Sequence, residues 1–196
     1  MTTTLRRAAT TLAAALAVGT VAVGGAAASG SGADSSSGSQ PDEVQLRLTP
    51  SSAQLAGCMP HARVKVEVSL ETDRVGFDSF QVHAWGLPPK TAFTVFLLEQ
   101  AGSPFGAAEY IGDVHTNAYG YGRNTFGLIV EEAFSSTLVN GTRVRVDLNR
   151  VGMWFADPAD DDFCLGPNSP VTPFDGDNAA GVQAFNSANA APLPAP

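Results

Sequence analysis

Cysteine and histidine are scarce in this chain of 196 residues, which has two of the first and three of the second. Two cysteines allow one intrachain bridge and no more. Cations are few as well: eleven Lys and Arg stand against nineteen Asp and Glu. Such an acidic chain keeps itself soluble by self-repulsion and suits neither phosphate backbones nor anionic lipid. The sequence shows no basic cluster and no basic helix, so nucleic acid is not an expected partner. Catalytic signatures are missing too. There is no Gly-x-Ser-x-Gly elbow, no His-Glu-x-x-His, no P-loop and no dinucleotide fingerprint, and Gly102-Ser103-Pro104 reads as a turn. A triad built from distant residues is recognised by geometry, so these absences weaken an enzymatic reading without ending it. Sustained helical periodicity is absent, and only the beginning of the chain holds a long hydrophobic segment.

That segment has the layout of a secretory signal peptide. Arg6 and Arg7 precede an uncharged run from Ala8 to about Ala28, and Ala26-Ala27-Ala28 supplies small residues for cleavage. The alternative is an uncleaved anchor of about twenty residues, which the Ala, Gly and Thr content makes weakly hydrophobic. The Arg pair hints at twin-arginine export, but the residues after it lack the bulk that signal prefers, so general secretion is expected. Cleavage removes Arg6 and Arg7 and leaves nine cations against nineteen carboxylates, a formal charge of −10. Residues 1–28 are therefore expected to be signal and 29–42 a flexible Ser/Gly-rich leader, too poor in apolar residues to offset its ordering entropy.

Residues 43–165 read as one domain. Arg63 to Glu71 alternates strictly, with every even position apolar, the mark of a strand with one face on a core and one in water. Val44–Leu48 and Val144–Leu148 do the same. Phe80, Val82 and Ala84 alternate with Gln81, His83 and Trp85. Asn124–Val130 and Tyr110–His115 are weaker strands, and Thr91–Leu98 is apolar on both faces, as an interior strand is. Glu131–Leu138 has room for one helical turn. Turn signals lie at Asp73 and Gly76, at Gly86 to Lys90, at Thr116 to Gly122 and at Asn140-Gly141. About seven short strands with Gly/Pro punctuation predict an all-β fold, an antiparallel β-sandwich. In the remainder, 166–196, Phe174, Val182 and Phe185 are expected to dock on the sandwich, with a short edge strand at Val182–Phe185 and a frayed end.

Leu87-Pro88-Pro89-Lys90-Thr91-Ala92-Phe93-Thr94-Val95 resembles the corner of fibronectin type III domains, where Leu and Pro enter a strand carrying Thr and a corner Tyr. Phe93 holds the Tyr position here and lacks its hydroxyl. The resemblance covers about a dozen residues and implies an immunoglobulin/fibronectin III-like sandwich with a sheet-crossing corner. The wider pattern, GLPP before a strand and a Gly-rich hairpin, resembles small secreted domains of actinomycete type. Neither resemblance brings functional residues.

Leu55-Ala56-Gly57-Cys58 imitates a lipobox, the lipidation signal of bacterial lipoproteins. A lipobox must end a signal peptide's hydrophobic segment, whereas the residues before Leu55 include Asp42, Glu43 and Arg47 and alternate as a strand. An exported chain with two cysteines most simply joins them, so Cys58 and Cys164 are expected to form a disulfide.

Candidate ligand sites are few. Cys58-Met59-Pro60-His61 has blue-copper residue types, but no His follows Cys164. His83 and His115 lie in predicted strands and raise the prospect of zinc, with two solvent-facing residues as the plainer reading. Asp157 to Asp162 and Asp175-Gly176-Asp177-Asn178 are acidic loops of the kind that hold calcium, without EF-hand spacing. No cofactor and no metal are expected. Trp85, Tyr110, Tyr119, Tyr121 and Trp154 are aromatic residues that an exported sandwich has available for sugar rings, with Tyr119 and Tyr121 on a hairpin and Trp85 sharing a face with His83. The expected product is a secreted, monomeric, non-catalytic interaction or structural domain with an unidentified extracellular partner or a polysaccharide. A carbohydrate- or cell-wall-binding module through Trp85, Tyr119 and Tyr121 is one alternative, and a metal-dependent enzyme using His83 and His115 is another.

Overall fold

A computed structural model describes residues 42–173 and 179–195. The expected signal peptide, the leader up to residue 41, Phe174 and the Asp175–Asn178 loop lie outside the described residues. The alternating runs become strands β1 (Glu43–Pro50), β2 (Arg63–Ser69) and β3 (Asp78–Trp85). The chain continues with β4 (Ala92–Leu98), β5 (Ala108–His115) and β6 (Gly122–Leu128). A hairpin of β7 (Phe134–Val139) and β8 (Thr142–Asp147) follows, then β9 (Arg150–Phe155). The pair β10 (Thr172–Pro173) and β11 (Ala179–Ala180) precedes the last strand, β12 (Gln183–Asn186).

Eight of these strands form one antiparallel sheet in the order β5-β4-β9-β12-β1-β2-β3-β6. The fold is all-β and antiparallel, and its inner faces enclose a single apolar core. Val64, Val66, Val68, Phe80 and Val82 come from one half of the sheet, and Phe93, Val95, Val151, Met153 and Phe155 from the other. The sheet's two edge strands, β5 and β6, are consecutive in the chain and meet. Thr116 bridges Gly122, and Asn124 Nδ2 donates to the Asp113 carbonyl at 2.7 Å. Gly112, at φ +145°, lies so close to the Phe126 ring that a Cβ there would fall 2.2 Å from it. Only glycine tolerates both that backbone and that approach.

The sequence reading places seven strands, and the structure differs in three respects. Of the run Val144–Leu148, the residues up to Asp147 belong to the exposed β7–β8 hairpin and stay outside the large sheet, and Leu148 is buried in the core. The run's place is taken by β9, which lacks alternation because both its faces are covered. One face looks into the core, and on the other Trp154 packs with Phe96, Leu98, Ala180 and Phe105 in a second cluster. The stretch Glu131–Leu138 holds a single 3-10 turn at Val130–Glu132 and then enters β7. The expected edge strand at Val182–Phe185 is an interior one: β12 pairs with β9 on one side and β1 on the other. The sheet thus reaches beyond Leu165, and the terminal segment docks with it. Leu193 is buried in the core and its N–H donates to the Asn149 carbonyl at 2.9 Å.

Cys58 and Cys164 are bonded, with Cα atoms 5.6 Å apart. The bridge links two short helices, α1 (Ala53–Cys58) and α2 (Asp162–Leu165). α1 starts where the Ser52 hydroxyl accepts the Leu55 N–H, and Leu55 anchors it in the core. LAGC is therefore the end of a capped helix beside the core.

Two buried carboxylates organise loops. Asp78 accepts from the N–H groups of Glu71 and Thr72, from the Thr72 hydroxyl and, through its other oxygen, from Val130 N–H. Asp161 accepts from the Ser169 hydroxyl and from Val182 N–H at 2.8 Å, which holds the chain entering β12. The Asp157–Asp162 loop is thereby committed to structure: Asp157 also caps its turn by accepting the Ala159 N–H.

Candidate functional site

The outer face of β1, β2, β3 and β6 is the most distinctive surface of the molecule. Alternation sends the even residues of β2 and β3 inward and the odd ones outward, and the register aligns the outward ones in rows. In one row Arg47 stands opposite Lys65, Lys65 opposite His83, and His83 opposite Arg123. The next row reads Gln45, Glu67, Gln81 and Thr125. On the other side Arg63 stands opposite Trp85.

The aromatic residues converge here. His83 and Trp85 stack, with centroids 5.8 Å apart and planes inclined by 20°. Tyr121, entering β6, tilts against Trp85 at 6.0 Å. Trp85 remains 40% exposed and forms one wall of an open cleft of about 500 Å³, with Arg47, Arg63 and Lys65 on its other sides and Thr49 and Pro50 at its end. Such a ring offers a flat apolar surface with a polar rim.

Electrostatically the face is positive. Four of the nine Lys and Arg beyond Arg7 lie on it: Arg47, Arg63, Lys65 and Arg123. Its central carboxylate is Glu67, whose Oε1 lies 2.7 Å from Lys65 Nζ and whose Oε2 lies 3.4 Å from His83 Nε2. The hydrogen bond from Lys65 holds the Glu67 carboxyl below the usual carboxylate range; partial burial opposes this, and the charges of Lys65, His83 and Arg123 add to it. Arg123 donates to Gln81 Oε1 at 2.8 Å and Arg63 to the Ala62 carbonyl at 2.8 Å. Among the described residues Arg47, Arg63 and Arg123 have no carboxylate partner within ion-pair distance.

The structure thus unites three of the seven aromatic and histidine candidates singled out from the sequence: His83, Trp85 and Tyr121. Tyr119 sits apart at the hairpin tip, 92% exposed and without a ring contact among the described residues. The hairpin itself is built by Asn117, whose side-chain oxygen accepts the N–H groups of Tyr119 and Tyr121. His115 is exposed on β5, opposite Ala92, and touches neither His83 nor Trp85. Among the described residues no group of three or more His, Cys, Asp and Glu side chains is placed to hold a metal ion. Trp154 is unavailable to a ligand because Phe96 and Phe105 cover it. Tyr110 packs edge-on against Phe96, on the other half of the sheet.

The basic residues of the face escaped the sequence reading. They lie on separate strands, so no local window contains a basic cluster. A trace was present in the spacing: Arg47, Lys65 and His83 recur every 18 residues on the polar side of successive alternating runs. Antiparallel strands of that spacing bring such positions side by side.

No family model, curated protein or solved structure matches the chain.

Proposed function

We propose that this is a secreted, non-catalytic binding domain that recognises polysaccharide through the outer face of β1, β2, β3 and β6. The observation that carries this reading is the convergence of Trp85, His83 and Tyr121 beside an open cleft. A partly exposed indole, braced by two rings and bordered by donors, suits the apolar face and hydroxyl rim of a sugar. Export is supported by the signal-like first 28 residues and by the Cys58–Cys164 bridge, which belongs to an oxidising compartment. No helix among the described residues is long and apolar enough to cross a membrane.

Retention on insoluble cell-wall and plant polysaccharides tests the proposal. The wild-type protein is expected to be retained, and Trp85→Ala with Tyr121→Ala to lose retention while keeping its cooperative unfolding. Retention that survives both substitutions, or none for the wild type, overturns it.

A further inference from the structure

We infer that the polysaccharide is an acidic one, a sugar chain bearing carboxylates, gripped by the transverse row Arg47–Lys65–His83–Arg123 together with Arg63. This rests on the carbohydrate reading above and narrows it to a chemical class.

The first support is the cost of the arrangement. Neighbouring strands are about 4.8 Å apart, and like charges set directly opposite one another across strands destabilise a sheet. Arg47 faces Lys65, with His83 and Arg123 continuing the row. Arg47, Arg63 and Arg123 are exposed, and none of the three has an ion-pair partner among the described residues. Packing does not demand guanidinium groups there. In a chain of net charge −8, scattering the few cations among the many carboxylates would be the default, yet four are gathered on one face. Glu67 already neutralises Lys65, and an anionic ligand neutralises the arginines that remain, Arg47, Arg63 and Arg123. Guanidinium groups also bind carboxylates through paired N–H donors, and this selects planar anions.

The second support is charge spacing. The row places three cations, Arg47, Lys65 and Arg123, on the first, second and fourth of four strands about 4.8 Å apart. Duplex DNA presents one negative charge per roughly 1.7 Å, a far denser line than the row matches. A polymer with one carboxylate per sugar, or per pair of sugars, has charges spaced on the scale of the strands. Trp85, at the side of the row, supplies the stacking surface that a sugar ring uses and a phosphate does not. Glu67 fits the same picture. Held ionised by Lys65, it places an acceptor next to the cationic row, suited to hydroxyls alongside the carboxylates.

The experiment is affinity electrophoresis and calorimetry of the wild-type protein with polygalacturonate, alginate and hyaluronan. Each is compared with its carboxyl-reduced form, which keeps the sugar chain and loses the charge, and duplex DNA is a further arm. At least one acidic polymer is expected to bind at least about tenfold more tightly than its reduced form, with affinity falling as salt rises. Each of Arg47→Gln, Arg63→Gln and Arg123→Gln is expected to weaken binding about two- to fivefold, the range of exposed ion pairs. The triple variant is expected to lose about tenfold or more with its thermal unfolding unchanged. Equal binding of acidic and reduced polymers overturns this inference and leaves the polysaccharide reading standing. Binding of neutral polysaccharides alone does the same. No binding of any polysaccharide overturns both. Duplex DNA bound more tightly than every acidic polymer, and lost in the triple variant, assigns the row to nucleic acid and overturns the inference.

Discussion

His83 and Trp85 lie two residues apart on β3 and stack, with centroids 5.8 Å apart and planes inclined by 20°. The pair stands on the outer side of the sheet, directly behind the buried Val82 and Ala84. The indole is thereby braced from beneath by a rigid strand and from the sides by His83 and Tyr121. A ligand meets a ring that is already ordered, and little entropy is left to lose on binding.

The two tryptophans report on different environments, one half-exposed and one buried at 2%. Trp85→Phe is expected to remove the longer-wavelength part of the fluorescence emission and to leave a blue-shifted spectrum from Trp154. The stability change should stay within about 1 kcal/mol, because a partly exposed residue is being replaced. Unchanged emission after the substitution would mean that Trp85 is buried.

Glu67 supplies a pH signature. Its folded-state value is depressed, first by the hydrogen bond from Lys65. A depressed carboxylate stabilises the fold at every pH above its unfolded value, and this contribution is lost as pH falls through the folded value. An NMR titration of the Glu67 side-chain carbonyl should show a midpoint below the ordinary glutamate range. Lys65→Met should move that midpoint upward. A midpoint that does not respond to Lys65→Met would contradict the pairing.

Asp78 is buried and accepts hydrogen bonds from three backbone N–H groups and one hydroxyl. Asp78→Ala strands those donors, and each buried group left unsatisfied costs about 1–3 kcal/mol. A loss of roughly 3 kcal/mol or more is expected in urea unfolding, with faster amide exchange at Glu71, Thr72 and Val130. A loss below about 1 kcal/mol would show that water replaces the carboxylate there.

The disulfide closes a loop of 106 residues, worth about 4–5 kcal/mol in the chain-entropy account. Cys58→Ser with Cys164→Ser is expected to lower stability by about that amount, and the same loss should follow reduction of the wild type. Equal unfolding midpoints for reduced and oxidised protein would remove the bridge from the stabilising terms.

Alternation made β1, β2 and β3 readable in the sequence, because each has one face in the core and one in water. The same pattern misled at Val144–Val146, where the residues alternate on a hairpin that both faces expose to solvent. For β9 it was silent, since Met153 and Trp154 point to opposite sides and each meets an apolar cluster. Two-sided burial erases the period that reveals a strand. β12 was visible through Val182, Ala184 and Phe185, but its interior position depends on pairing with partners 32 and 137 residues away, as in Phe185 with Met153 and Asn186 with Thr49. Of the site, parity already placed His83 and Trp85 on one side of β3. Tyr121 and the cationic row became neighbours only through the register of four strands.

The interior place of β12 also orders events in time. β1 and β9 meet only through it, so until Gln183–Asn186 is in position each half of the sheet carries an open edge. Chains grow from their N-terminal end, and β12 is the last strand among the described residues. Before it arrives, the two halves can touch only where β5 meets β6, and the seam between β1 and β9 stays open. A chain that stalls before Gln183 leaves the backbone edges of β1 and β9 unpaired, and such edges are templates for pairing with another chain.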